Sequence, residues 1–344
     1  MPTFASALVK ETLEEYGAVA RAGLEHYLKR GEPRRHLYDL VADYPRRGGR
    51  SLRASACIAA ARAFGGATAE AADSAVALEI LHNAFLVHDD VEDESEIRRG
   101  KPTLHELHGV PVAVNVGDAL AVLSIGPLIS NFKKLGPGRA LRVLEEAERM
   151  ARESVEGQAI ELGWRRDNAV DLRVEDYLMM ILKKTCWYTT IYPCRVGAMI
   201  GGADEIDIDR VTRFGFFLGA AFQIQDDLLN LVGDQKKYGK ELGGDIFEGK
   251  RTIMLIRLLQ VAPRAERARV VAILSRDRRR RSATDVAWVR GRMEAHRCIP
   301  FARELAHGLA GAARHEASLA FAHLPRSRDR RFLEALPLWV LERT

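Results

Sequence analysis

The sequence predicts an all-α protein, a single-domain helical bundle, and three observations carry that expectation. Apolar residues recur at three- and four-residue spacing along most of the chain. Alternating β-branched runs bounded by Asn-Gly or Asp-Gly are missing. Glycine and proline fall as punctuation between the periodic segments rather than in one long linker.

Taken in order, the helical spacing runs through 3–29, 52–64, 70–93, 138–162, 174–200, 207–232, 251–274 and 299–322. Breaks are expected at Gly31-Glu-Pro33, Tyr44-Pro-Arg-Arg-Gly-Gly49, Gly65-Gly66, Arg99-Gly-Lys-Pro102, Gly136-Pro-Gly138, Gly201-Gly202 and Gly243-Gly244. Val110–Val116, the one brief strand-like run, reads as a loop leading into a helix. Residues 275–286 hold four consecutive arginines, Arg278 to Arg281, with no apolar partner pattern. A solvated loop is expected there, with an anionic-lipid or partner contact as the alternative. The 344 residues are 47% hydrophobic, enough for a sizeable core, and no repeat divides them, so 1–344 is expected to form one domain.

Lysine and arginine exceed aspartate and glutamate by 52 − 47 = 5. That excess suits nucleic acid, an anionic membrane or a polyanionic small molecule. No interleaving of aromatic and basic residues supports nucleic acid. Cys57, Cys186, Cys194 and Cys298 are scattered without CxxC spacing, so neither a zinc site nor a disulfide framework is expected, and a reducing cytoplasm fits. The first residues lack a signal-peptide pattern. The apolar stretch from Val110 to Ile129 is interrupted by Asn115, Asp118 and Pro127, so no transmembrane segment is expected.

Two acidic clusters stand out. Asp89, Asp90, Glu92 and Asp93 close an otherwise apolar helix, with Asp89 and Asp93 at i and i+4 on one face. Like charges at that spacing, at the negative end of a helix dipole, destabilise the helix by a few tenths of a kcal/mol unless a cation compensates. Hard oxygen ligands on one face suit Mg²⁺, which bridges one or two carboxylates to phosphate oxygens. The device repeats at Asp226 and Asp227, with Asn230 in the i+4 place. Basic residues follow each cluster: Arg98, Arg99 and Lys101, then Lys236, Lys237, Lys240, Lys250 and Arg251. Carboxylates and cations together describe a diphosphate cradle.

From about residue 40 to 344 the chain resembles the trans-isoprenyl diphosphate synthase (polyprenyl synthetase) family. The matching pieces come in order: Gly48-Gly49-Arg50-Ser-Leu-Arg53, His82, Asp89-Asp90-Val-Glu-Asp93, Arg98-Arg99-Gly-Lys-Pro-Thr103, Gly117-Asp118, Lys184-Thr185, Phe222-Gln223-Ile-Gln-Asp226-Asp227, Lys240 and Gly249-Lys250-Arg-Thr252. Arg50, Ser51 and Asn230 depart from the usual Lys, Arg and Asp.

The resemblance implies an isoprenoid synthase-type bundle around a central apolar cavity, usually homodimeric. It implies Mg²⁺, three ions per site, with Asp89, Asp93 and Asp226 as ligands and Asp90, Asp227 and Asn230 acting through water or neighbouring contacts. Arg98, Lys184, Gln223, Lys240 and Lys250 would hold the allylic diphosphate (dimethylallyl, geranyl or farnesyl), and Thr185 would sit near the developing cation. Arg50, Arg53, His82 and Arg99 would hold isopentenyl diphosphate. Phe85 and Ala84, about 6 and 7.5 Å before Asp89 at 1.5 Å per residue, would set product length, the alternative being ordinary helix packing with other helices setting the tunnel floor. A bulky Phe85 with a small Ala84 implies geranylgeranyl diphosphate, C20, with C15 or C25 and longer as alternatives. His88, Glu92 and Asp245 are left outside the expected metal site. A terpene cyclase fits less well, because Phe-Gln-x-x-Asp-Asp replaces the cyclase metal motif. A non-catalytic partner subunit fits less well, because both clusters are intact.

Overall fold

The computed structural model describes residues 4–28, 31–233 and 243–343. They form α1 Phe4–Tyr27, short helical turns between Arg34 and Arg46, α2 Leu52–Ala63, α3 Thr68–Glu92, α4 Val110–Leu123, α5 Ile125–Leu135 and α6 Pro137–Arg166. Next come α7 Val174–Ile181, a π-helical stretch Leu182–Ile191, α8 Tyr192–Gly201 and α9 Glu205–Val232. After the one-turn helix Gly244–Glu248 follow α10 Ile253–Val261, α11 Arg264–Leu274, α12 Ala283–Ala295, α13 Cys298–Ala320 and α14 Arg328–Leu341. Among the described residues the bundle is all-α apart from one two-stranded hairpin, Ile97–Arg98 against Lys101–Pro102.

α3 and α9 are the long central helices. α9 starts because the Asp204 carboxylate accepts from the Asp207 amide at 2.9 Å, and it then packs on α13 and the π-helical stretch. α3 packs on α2 and α4. Its end is fixed by the hairpin, in which Arg99 and Gly100 both take positive φ, 54° and 74°, as a type I′ turn requires. That turn brings Arg98 back onto the last turn of α3.

The π-helical stretch carries Lys184 and Thr185, a placement that π-bulges often take at functional sites. α6 lies against it at Gly157, where an added Cβ would come within 2.1 Å of the Lys184 amide nitrogen. Only glycine permits that approach.

Several expectations change. Val110–Val116 is helix, not loop: Pro111 stands in the first turn, where its fixed φ suits a helix, and Ala113, Val116 and Leu120 bury one face at helical spacing. Asn115, Asp118 and Pro127 do not break the run either. Val110–Leu135 spans 26 residues, and an 18-residue window within it has a mean hydropathy of 1.8 with 39% of that window buried, long and apolar enough by length and composition to cross a membrane. Segment 275–286 is not a solvated loop throughout. Arg281 donates to the carbonyls of Phe247, Leu274 and Ile273, Arg278 pairs with Glu248 at 3.5 Å, and α12 starts at Ala283 behind a Ser282/Asp285 capping box. Arg279 and Arg280 remain exposed.

Candidate active site

A cavity of about 650 Å³ lies between α3, α6, the α7–π segment and α9. Asp89, Glu92, Asp226, Asp227, Asp245, Arg50, Arg53, Arg98, Arg99, Lys184 and Lys250 supply its charged wall. Phe85, Leu86, Val155, Met180, Ile181, Tyr188, Phe222 and Leu229 supply its apolar wall. The two aspartate clusters, about 130 residues apart in sequence, therefore face one space.

Asp89, Asp93 and Asp226 are each matched by a cation. Asp89 lies 3.2 Å from Arg98 and 3.4 Å from Lys184. Asp93 does not line the cavity; its fully buried carboxylate pairs with Arg165 at 2.5 Å and Lys250 at 2.6 Å. Asp226 pairs with Arg343 at 2.7 Å. Lys184 also reaches Glu161 at 2.5 Å, and Lys250 reaches Glu248 at 2.9 Å. Burial acts to lower both ammonium groups, but the surrounding carboxylates outweigh it and hold them above their ordinary value.

The other aspartates are occupied by structure. Asp90, fully buried, accepts from Arg98 Nε at 2.9 Å, from Arg98 Nη2, and from the Tyr44 hydroxyl at 2.6 Å. Asp227 accepts from Gln223 at 2.7 Å and from Tyr177 at 2.8 Å, while the Gln223 carbonyl accepts from Thr185 at 2.9 Å. Burial pushes the Asp227 carboxyl up to about 7, against the pull of those two donors. Asn230 accepts from the Asp245 amide at 3.2 Å, so it fixes the turn before Gly244–Glu248.

A smaller cavity of about 180 Å³ adjoins the first and is lined by Arg21, Arg50, Arg53, Arg99, Arg343, His82 and Glu79, among others. Arg53 donates to Thr189 at 3.0 Å, lies 3.3 Å from His82 Nε2, and covers the Tyr188 ring at 4.4 Å. Burial, with Arg53 and Arg99 beside it, holds the His82 imidazole well below its ordinary value, so it is neutral.

Ala84 is not in the cavity wall. It is buried with Ile80, Val87, Val116 and Leu120 in the packing between α3 and α4, because its position faces away from Phe85 on α3. Phe85 does line the cavity and meets Tyr188 edge to face at 5.6 Å. His88 lies over Gly117 and 3.3 Å from Asp118. Lys240, with Lys236 and Lys237, lies outside the described residues. Sequence reasoning missed Glu161, Arg165, Tyr177, Tyr188 and Arg343; the first three sit at ordinary helical positions, and none belongs to a short motif.

The match to family models covers residues 34–290 and is to the polyprenyl synthetases. A short chain isoprenyl diphosphate synthase of Methanothermobacter thermautotrophicus is 36% identical over 66% of this chain and 68% of its own length. A geranylgeranyl diphosphate synthase of Sulfolobus acidocaldarius is 35% identical over the same shares, 66% and 68%. Among solved structures, a geranylgeranyl pyrophosphate synthetase from Pyrococcus horikoshii superposes with a TM-score of 0.85 at 31% identity, covering 99% of this chain and 98% of that one. A polyprenyl synthase from Caulobacter crescentus, complexed with calcium and isoprenyl diphosphate, gives 0.84 at 27% identity, covering 97% of each.

An all-helical fold with two carboxylate-bearing helices facing one cationic cavity defines a prenyltransferase. The chain belongs to the polyprenyl synthetase family.

Proposed function

We propose that the protein is a Mg²⁺-dependent synthase that condenses isopentenyl diphosphate with an allylic diphosphate and releases mainly geranylgeranyl diphosphate, C20. The observation that carries this reading is the shared cavity: Asp89 and Asp226, on α3 and α9, face one space whose wall is cationic beside them and apolar beyond. The geranylgeranyl diphosphate synthases among the relatives support the C20 product.

The donor set fits Mg²⁺. Asp89 and Asp226 offer hard oxygens, and among the described residues no three His, Cys, Asp or Glu converge on one point, so an ion would complete its shell with diphosphate oxygens and water. The Caulobacter polyprenyl synthase solved with calcium and isoprenyl diphosphate supports that arrangement. Bound Mg²⁺, three ions with Asp93 as a further ligand, would neutralise charge on the departing diphosphate.

The chain's own groups do the rest. Lys184 and Lys250 exchange their carboxylate partners for oxygens of the allylic diphosphate, helped by Gln223 and Arg98. As the allylic carbon–oxygen bond breaks, its electron pair leaves with the diphosphate and these cations stabilise the charge. The smaller cavity holds isopentenyl diphosphate through Arg50, Arg53, Arg99 and neutral His82, with its double bond toward the allylic carbon. That double bond attacks, and the proton lost goes to the departed diphosphate. Phe85, Leu86, Met180, Ile181 and Tyr188 keep water from the cation and receive the growing chain.

Two further parts of the reading rest on surfaces. Val110, Val114, Val122, Ile125, Ile129 and Phe132 expose an apolar face along α4 and α5, which a second copy of the chain covers in a homodimer. The four cysteines are free and buried, which suits the cytoplasm.

The test is to incubate the purified protein with isopentenyl diphosphate and each of the dimethylallyl, geranyl and farnesyl primers, with Mg²⁺ or with EDTA, and to size the dephosphorylated alcohols. A dominant Mg²⁺-dependent C20 alcohol is expected. Alcohols of another length would overturn the product assignment alone, and no elongation from any primer would overturn the activity.

A further inference from the structure

Arg278 and Arg281, the first and last arginines of the run between α11 and α12, turn inward rather than to solvent, and both reach the segment that carries Lys250. Arg281 is half-buried. Its Nε and Nη2 donate to the carbonyls of Ile273 and Leu274, at 3.3 and 2.8 Å, where α11 ends. Its Nη1 donates to the carbonyl of Phe247 in the one-turn helix Gly244–Glu248. One guanidinium thereby fastens that short helix to α11. Burial and the nearness of Arg165 lower the Arg281 guanidinium, so its charge stands in an unfavourable place and the three carbonyls compensate it.

The same guanidinium lies against Gly249, the residue before Lys250. An added Cβ at Gly249 would come within 2.8 Å of both Arg281 Nη atoms, and the φ of this glycine is 73°, in the left-handed region. From the other side Arg251, fully buried, donates to the Gly249 carbonyl, to the Ala169 carbonyl at 3.1 Å and to Asn168 Oδ1 at 2.6 Å. Arg278 acts on the carboxylate beside Lys250: Glu248 lies 3.5 Å from Arg278 and 2.9 Å from the Lys250 ammonium, and it accepts from the Ser95 hydroxyl at 3.3 Å. The backbone on both sides of Lys250 is therefore held by arginines.

We propose that Arg281 is a positioning residue for Lys250: by holding Phe247 and Gly249 it aims the Lys250 ammonium at the allylic diphosphate. The inference rests on the reading of Lys250 as a group that binds that diphosphate. A lysine is a point charge on a flexible stem, and with a loose backbone its ammonium would sample much of the cavity. A fixed turn confines it to one wall, where it meets one group of phosphate oxygens without further ordering. Arg281 does not line the cavity, so its effect on the substrate passes through Lys250.

The test is a double-mutant cycle read by binding rather than turnover. A non-ionisable allylic diphosphate analogue is titrated calorimetrically, in Mg²⁺, into the wild type, Arg281→Met, Arg281→Lys, Lys250→Met and the two doubles that combine Lys250→Met with each Arg281 variant. Isopentenyl diphosphate is titrated into the same six proteins. Arg281→Met keeps an apolar stem but no donor. It is expected to weaken the analogue by about 10-fold, the size of one hydrogen bond to a charged group, and to leave isopentenyl diphosphate unchanged. Arg281→Lys, which can still donate to a carbonyl, is expected to lose less. In the Lys250→Met background neither Arg281 change is expected to cost anything further. An undiminished loss in that background, an equal loss for both ligands, or no loss in either Arg281 variant would overturn the proposal and leave the functional reading intact. Because Arg281→Lys runs through the same cycle, the comparison survives a methionine variant that does not fold. Wild-type affinity for the analogue in Lys250→Met would remove the proposal together with the reading of Lys250.

Discussion

Replacing Asp90 by asparagine separates the structural aspartate of the first cluster from the chemical ones. Asp90 is fully buried and holds three donor contacts from Arg98 and Tyr44, so the substitution leaves a buried guanidinium short of its counter-charge. Breaking a buried pair from one side costs about 3–5 kcal/mol. Asp89 stays 3.2 Å from the same arginine and offsets part of that, which puts the expected loss near the lower end, about 3 kcal/mol. With an unfolding entropy of about 2.1 cal/mol/K per residue over 344 residues, the midpoint should fall by about 4 °C. Asp89→Asn should behave in the opposite way. Its carboxylate is part-exposed and its pairs are long, so stability should change by less than about 1 kcal/mol, whereas elongation should drop by about 100-fold or more for want of charge stabilisation at the leaving group. Thermal melts and initial rates on the two variants check this. An Asp90→Asn protein as stable as the wild type, or an Asp89→Asn protein that elongates normally, would refute the division of roles.

Phe85→Ala should lengthen the product from C20 toward C25 and beyond, read by sizing the alcohols; unchanged C20 would move the tunnel floor to Tyr188 and its neighbours. His82 gives a pH effect of known sign. Its folded value is depressed, so below about pH 6.5 the unfolded chain takes up a proton that the folded site refuses, and stability falls as pH falls. Urea midpoints measured from pH 7 to pH 5 should decline less steeply in His82→Gln, and identical slopes would count against a neutral His82. Ile129→Asp, on the exposed face of α5, should shift the chain from dimer to monomer in sedimentation velocity, and a wild-type monomer would rule out the homodimer.

The helical class was legible because long amphipathic segments obey one period, and α3, α6 and α9 follow it closely. The segments misread were those where local chemistry outweighs periodicity. The valine-rich start of α4 looks unlike a helix until Pro111 and the buried face of Ala113, Val116 and Leu120 are seen together. The arginine run looks solvated, although Ser282 and Asp285 carry a capping signature and Arg281 is drawn inward by three carbonyls.

The aspartate clusters were legible from like charges placed where a helix least tolerates them. What they pair with was not. Arg165, Glu161 and Arg343 come from distant helices and meet the clusters only through the fold. The same limit explains Ala84, whose distance along α3 was right but whose side of the helix was set by α4.

The most direct measurement is electron paramagnetic resonance of Mn²⁺, a Mg²⁺ surrogate, titrated into the protein with a non-ionisable allylic diphosphate analogue. More than one Mn²⁺ is expected to bind only when the analogue is present, and the Asp89→Asn/Asp226→Asn double variant is expected to lose this binding. Undiminished Mn²⁺ binding by the double variant would contradict the claim that these two carboxylates, facing each other across one cavity, hold a metal-bridged diphosphate.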